Sequence, residues 1–132
     1  MNKKFLKKII AHSSEDLRLI SAFCSGGKVK ISELKYLPKN KIFLVFINRI
    51  VKEIENKKDR VNSIIKFEYI YSSKSKNINQ TNMDLKLELI AIDLFKKDQN
   101  YEIILLFSNN GFITLNAEII DVVLEDQKNI YD

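Results

Sequence analysis

Few residues of this chain could do chemistry, and they are scattered. Asn48-Arg49 interrupts the apolar run that follows Lys41 and resumes at Ile50. Arg is rarely buried without a partner, and its planar fork matches a carboxylate or a phosphate. Asn48 and Arg49 are therefore the candidate binding residues. The competing reading has the strand emerging into solvent, with Arg49 paired to a neighbour such as Glu68. His12 is the only histidine, so a histidine-based metal site lacks its usual partners. Cys24, the only cysteine, has no disulfide partner in the chain and reads as a small buried apolar side chain. Asp84 and Glu88 alternate on the outer side of an expected strand. Glu125-Asp126 reads as a solvated tail. No nucleophile motif, glycine-rich phosphate loop or zinc spacing is present. The expectation is no catalytic residue, no metal and no cofactor. Tyr69 and Tyr71, beside Lys66 and Lys74, could stack bases as single-strand binders do. Both fall in phase with Ile65 and Phe67, so core packing is the better expectation for them.

The rest of the chain must position these residues. With 132 residues, 45% hydrophobic and 30% charged, one domain covering 1–132 is expected, of ordinary globular composition. No apolar run approaches the ~18 residues that a spanning helix needs, and no secretory leader is evident at the N-terminus. A cytoplasmic location is the expectation. The net charge of +5 rests on 22 basic residues, only three of them Arg. The lysines are scattered among 17 acidic residues, which is unlike a nucleic-acid footprint.

Leu34–Ile50 is the centre of the reading. Two apolar runs flank Pro38-Lys39-Asn40-Lys41, where Pro sets φ and Asn tolerates a left-handed conformation, so a hairpin is expected. Its second strand is apolar on both faces and should be central. Before it, residues 4–11 suit a short lysine-guarded edge strand. Ser13-Ser14-Glu15-Asp16 starts a helix with Leu17, Ile20, Ser21 and Cys24 on one face, and Gly26-Gly27 ends it. A phase shift at Ser32-Glu33 predicts a bulge or corner. Residues 51–61 and 73–83 read as long polar, mobile loops. Strand patterns cover 62–72, 84–95, 101–107 and 112–115, with Asn110-Gly111 as a type I′ turn. Asn116 and Glu118, followed by Ile119, Ile120, Val123 and Leu124, predict a C-terminal helix; continuation as a strand competes, since the segment is β-branched. Residues 129–132 should fray.

The expected fold is α+β: a curved antiparallel sheet or partial barrel of six to seven strands, with one early helix and a C-terminal helix. A pleckstrin-homology-like architecture would suit this order.

The ordered pieces also resemble a known family. Glu15-Asp16-Leu17 and Ser21-Ala22 in the helix, Tyr36-Leu37-Pro38 at the turn, and Asn48-Arg49 closing the next strand match its pattern. So do Leu89-Ile90-Ala91-Ile92 and Asn110-Gly111. On these residues the chain resembles the alphaproteobacterial family called domain of unknown function 2948 over about 6–126. Ser25-Gly26 and Ile50 depart from the family, which has Gln-Asp and an aromatic there. The resemblance implies a cytoplasmic protein of unassigned function, with no catalytic residues to carry over.

A well-specified core without visible chemistry points to a non-catalytic binding or adaptor module for a protein or a small ligand. A weak nucleic-acid binder is the alternative, and a small enzyme of unrecognised type the third. No membrane partner is expected, and a homodimer through an exposed strand edge is compatible with the pattern.

Overall fold

The computed structural model of the chain describes residues 6–52 and 59–127. The expectations for Lys4-Phe5, for the charged stretch 53–58 and for the tail 129–132 lie outside the described residues.

The first strand, β1 (Lys8–Ala11), leads into helix α1 (Ser14–Cys24). Ser13 caps the helix, its hydroxyl accepting from the Asp16 amide at 3.2 Å, with Glu15 and Asp16 in the first turn as the dipole favours. Leu17, Ile20 and Cys24 are buried. Gly26, at φ +87, turns the chain out of the helix. Lys52 then donates to the carbonyls of Ala22 (2.8 Å) and Ser25 (2.7 Å), putting a cation where the helix dipole is negative.

Strands β2 (Lys28–Lys30) and β3 (Leu34–Leu37) are separated by one tight turn of 3-10 helix, Ile31–Glu33. This is the corner expected at Ser32-Glu33. The hairpin continues into β4 (Ile42–Ile50), with Leu37 opposite Ile42 and Leu34 opposite Val45. Along β4, Phe43, Val45, Ile47 and Arg49 are buried and the alternate residues half-buried, so it is a central strand.

β5 (Arg60–Phe67) and β6 (Ile70–Lys76) are nearly one strand, broken at Glu68-Tyr69. Likewise β9 (Phe112–Ala117) and β10 (Val122–Asp126) are separated by only four residues. The Glu68 amide donates to the Asp121 carbonyl (2.9 Å) and the Glu118 amide to the Tyr69 carbonyl (3.0 Å). Pairing therefore follows both bent strands round the corner. Between them come β7 (Lys86–Lys97) and β8 (Asn100–Phe107). All pairs are antiparallel, and the path of neighbours runs β1-β10-β5-β4-β2-β7-β8-β9-β6, with β3 beside β4. The path is open, and its bends fold one face of the sheet inward over a single apolar cluster.

Several expectations need correction. The described residues form ten strands, not six to seven, because β2–β3 and β5–β6 each read as one run in sequence and β10 reads as a helix. The C-terminal helix does not form. β9 runs to Ala117, and after the bend Val122, Leu124 and Asp126 point inward at strand spacing, so the β-branched residues decide the outcome. The polar segment from 73 is not all loop: Ser73–Lys76 completes β6. Arg60 and Val61 similarly open β5. Tyr69 and Tyr71 are not in the core. Tyr69 sits at φ 60, the phase flips there, Ile70 is buried, and both tyrosines are exposed. The I′ turn lies one residue early: Asn109 and Asn110 carry φ 62 and 60, and Gly111 closes the turn onto Ser108. Finally, β7 is apolar on alternate faces because a bulge between Leu89 and Ala91 throws Ile90 outward. Beyond the bulge, the Ile92 amide donates to the Ser21 hydroxyl of α1 at 2.9 Å.

Candidate functional site

Two groups of polar side chains at inward-facing strand positions stand out among the described residues, and they are built differently. The first lies on β4, β5 and β10. Arg49 is fully buried, and its guanidinium grips Asp126 with both prongs, Nε–Oδ1 3.0 Å and Nη2–Oδ2 2.8 Å. The Ser63 hydroxyl donates to Asp126 Oδ1 (2.7 Å) and the Lys7 amide to Oδ2 (2.9 Å). The Phe23 ring lies 5.8 Å from the guanidinium carbon and 4.7 Å from the Lys7 ammonium. No buried side-chain nitrogen or oxygen among the described residues lacks a hydrogen-bond partner. This cluster ties the chain's first described residues to the last strand and to the middle of the sheet. Arg49 pairs with Asp126 rather than with Glu68, whose neighbour is Lys66 at 3.7 Å. Asn48, on the opposite face of β4, donates to Asn62 Oδ1 (2.9 Å), and Arg60 donates to the Asn48 backbone and side-chain oxygens (3.1 and 3.2 Å). The two residues singled out in sequence thus face away from each other.

The second place is a half-open cleft of about 320 Å³ at the end of the sheet where β3 and β6 diverge. Leu34 and Tyr36 come from β3, Phe43 from β4, and Ile113 from β9. Facing them, β6 contributes Ser73 and Ser75, which stand opposite Leu115 and Ile113 in the ladder. The connection from β6 to β7 crosses as a strap that adds Ile78, Gln80 and Met83. The strap is held at both ends. Asn77, at φ 60, donates to the Asn110 carbonyl (3.0 Å), and the Ser32 amide donates to the Met83 carbonyl (3.1 Å). Between those anchors Gln80 Nε2 donates to Ser75 Oγ at 2.6 Å. The Tyr36 hydroxyl is fixed by donation to the Ile70 carbonyl (3.1 Å), which braces β3 against β6.

Neither Asn48 nor Arg49 lines this cleft. Sequence pattern does not mark its polar residues as a site, since Ser73–Met83 reads as a polar loop. A signal was present: Ser73-Lys74-Ser75-Lys76 alternates with period two, as a strand with one uncharged and one charged side does.

A third surface lies on the outer side of β6, β9 and β8. Tyr71 lies there, its hydroxyl accepting from Asn100 Nδ2 at 3.2 Å, and Lys97 and Asn116 join it to a neighbouring groove carrying Lys74 and Lys76. Among the described residues, no group of three or more His, Cys, Asp or Glu side chains converges as a metal site would need. None of the helices there is long and apolar enough to cross a membrane.

The model of one family matches residues 7–132, nearly the whole chain. Its description is "Protein of unknown function (DUF2948)", and the chain belongs to that family. No curated protein and no solved structure matches the chain.

Proposed function

We propose that this member of the DUF2948 family is a non-catalytic binding module whose cleft between β3 and β6 takes a small ligand. One observation carries the reading. Ser73 and Ser75 occupy core-facing positions of β6, opposite Leu115 and Ile113, yet what stands in front of them is about 320 Å³ of open space. A position facing a filled core favours an apolar side chain. Two hydroxyls set among Phe43, Leu34 and Ile113 instead match the usual make-up of a ligand site, an apolar wall with a few placed polar groups. The volume lies at the lower end of the ~300–1,000 Å³ that such sites span. In this reading Arg49 and Asn48 hold the sheet together and meet no ligand.

The test is a fragment screen followed by amide chemical shifts on the labelled full chain. Shifts should concentrate at residues 73–83 and at Ile113. A screen whose hits all fall elsewhere on the surface would overturn the assignment.

A second reading is favoured by the outward turn of Tyr71. The objection from core packing no longer applies to it, and Lys74, Lys76 and Lys97 flank the same face. A weak single-stranded nucleic-acid surface there would bind with an affinity falling steeply as salt rises. Flat salt dependence, or full binding by Tyr71→Ala, would remove it.

A further inference from the structure

We infer that the ligand of the β3–β6 cleft is an uncharged, largely apolar small molecule carrying one hydrogen-bond acceptor, such as a ketone or ether oxygen. The inference rests on the proposed ligand site and adds the chemical class. Its first support is the sorting of charge along β6. Ser73 and Ser75, in register with Leu115 and Ile113, line the cleft, while Lys74 and Lys76, in register with Thr114 and Phe112, belong to the other face of the strand, in a groove that Ser75 also borders. The described residues lining the cleft include no Lys, Arg, His, Asp or Glu. Tyr36, its one titratable side chain, spends its hydroxyl proton on the Ile70 carbonyl. An ion entering there would lose water and meet no opposite charge, which is costly, whereas a neutral apolar body loses nothing comparable. In a chain that is 30% charged and carries net +5, an uncharged wall is not what composition supplies.

The second support is the direction of the hydrogen bonds. Ser75 Oγ already accepts from Gln80 Nε2 at 2.6 Å, so its own proton is left to donate. A ligand oxygen placed between Ser73 and Ser75 would receive that donation. The apolar part would then lie against Phe43, Leu34 and Ile113 at the base of the cleft. The Gln80 strap would close over it.

Three naphthalenes of nearly equal size test this on the full chain: 2-acetylnaphthalene, 2-isopropylnaphthalene and 2-naphthoate. Dissociation constants come from the amide shifts of Ser73, Ser75 and Ile113. The ketone should bind at least tenfold more tightly than the carboxylate, although the protein's net positive charge favours the carboxylate elsewhere on the surface. It should also bind at least threefold more tightly than the hydrocarbon. In Ser73→Ala/Ser75→Ala the ketone should fall to the level of the hydrocarbon; both sites are on a strand with one free edge, and an unchanged spectrum outside the cleft shows that the fold is kept. Naphthoate binding in the cleft as tightly as the ketone would overturn the uncharged class and leave the ligand site standing. Equal binding of ketone and hydrocarbon to the unaltered chain would overturn the acceptor. If none of the three moves a cleft amide, the ligand site itself falls, and the inference with it.

Discussion

The Arg49–Asp126 cluster and the β3–β6 cleft both put polar atoms on the inner side of the same sheet, and they end in opposite states. At the cluster, Arg49, Ser63 and Asp126 are 0%, 1% and 6% exposed, and both Asp126 oxygens are engaged twice by the chain itself. At the cleft, Ser75 is exposed and, among the described residues, receives the Gln80 amide from a crossing strap. A buried polar group left unpaired is expensive, so polar residues in a core come with their partners. Where the chain supplies every partner, the polar residue is explained by the fold. Where it supplies half and leaves room, as at the exposed Ser75, the hydroxyl stays open to water or to a ligand.

The largest effect should come from removing Asp126. Asp126→Ala leaves the Arg49 guanidinium buried beside Ser63 with its two-pronged partner gone, a change that costs about 3–5 kcal/mol. Replacing both partners together by apolar residues, Arg49→Met with Asp126→Leu, should cost less than the single change, because no buried charge then remains. Urea unfolding measures both. The cleft shares only β4 with the cluster, through Phe43 at the strand's other end, and should keep its ligand affinity in whatever fraction stays folded. A double variant less stable than the single one would mean that the ion pair is not the reason these positions are polar.

The comparison tightens when one substitution is made in both places. Ser63→Ala removes a donor from a buried carboxylate and should cost about 1–3 kcal/mol. Ser75→Ala removes a hydroxyl that faces space and should stay within about 0.5 kcal/mol. The functional readout should run the other way, with Ser75→Ala weakening the ketone and Ser63→Ala leaving it alone. Equal costs at the two serines would erase the distinction.

The sequence carried the cluster and the cleft unequally, for reasons visible in particular residues. α1, its Ser13 cap, the Pro38 hairpin and the central place of β4 follow from local pattern, and all are found. Arg49 stood out because it breaks that pattern. Its partner did not: Asp126 lies 77 residues away in the chain, beside Glu125, and two adjacent acids look like a solvated end. The inward spacing of Val122, Leu124 and Asp126 was available, but Ile119, Ile120, Val123 and Leu124 fit a helical face equally well. Only pairing with β5 and β1 selects the strand. The cleft was harder still. Its walls come from β3, β4, β6, β9 and the strap, and Ser73–Met83, which holds five of the lining residues, reads as a polar loop. Strand count failed at the corners, since a strand that bends by one positive-φ residue, as at Tyr69, leaves no gap in a hydrophobicity pattern.

Gly111→Ala probes the strap. An added Cβ would sit 3.0 Å from Ile78 Cγ1 and 3.3 Å from the Asn77 carbonyl oxygen. Ile78 must move aside, at about 1 kcal/mol, the lower range of overpacking. Its displacement should change cleft affinity while the amide shifts of Ser63 and Asp126 stay fixed. Unaltered affinity in a folded Gly111→Ala would mean that the strap does not shape the site.

The smallest effect belongs to an ion pair that isolates what burial adds. Lys41 Nζ lies 2.7 Å from Glu118 Oε1 near the corner between the two regions, with both side chains about half exposed. The hydrogen bond to Glu118, and then its charge, raise the Lys41 pKa above the ordinary 10.5. A raised lysine pKa means that the folded chain holds this proton more tightly than the unfolded chain. The resulting stabilisation is complete below 10.5 and is lost as pH climbs through the raised value. Lys41→Met should therefore sit slightly below the unaltered protein in stability at neutral pH, and the gap should close in the alkaline range. Salt should close it too, because the pair lies in water. The deficit of Asp126→Ala should hardly respond to salt, since its charges are out of reach of the screening ions. If both deficits shrink alike in salt, the Arg49 cluster is wetter than its burial implies, and the contrast with the cleft loses its basis.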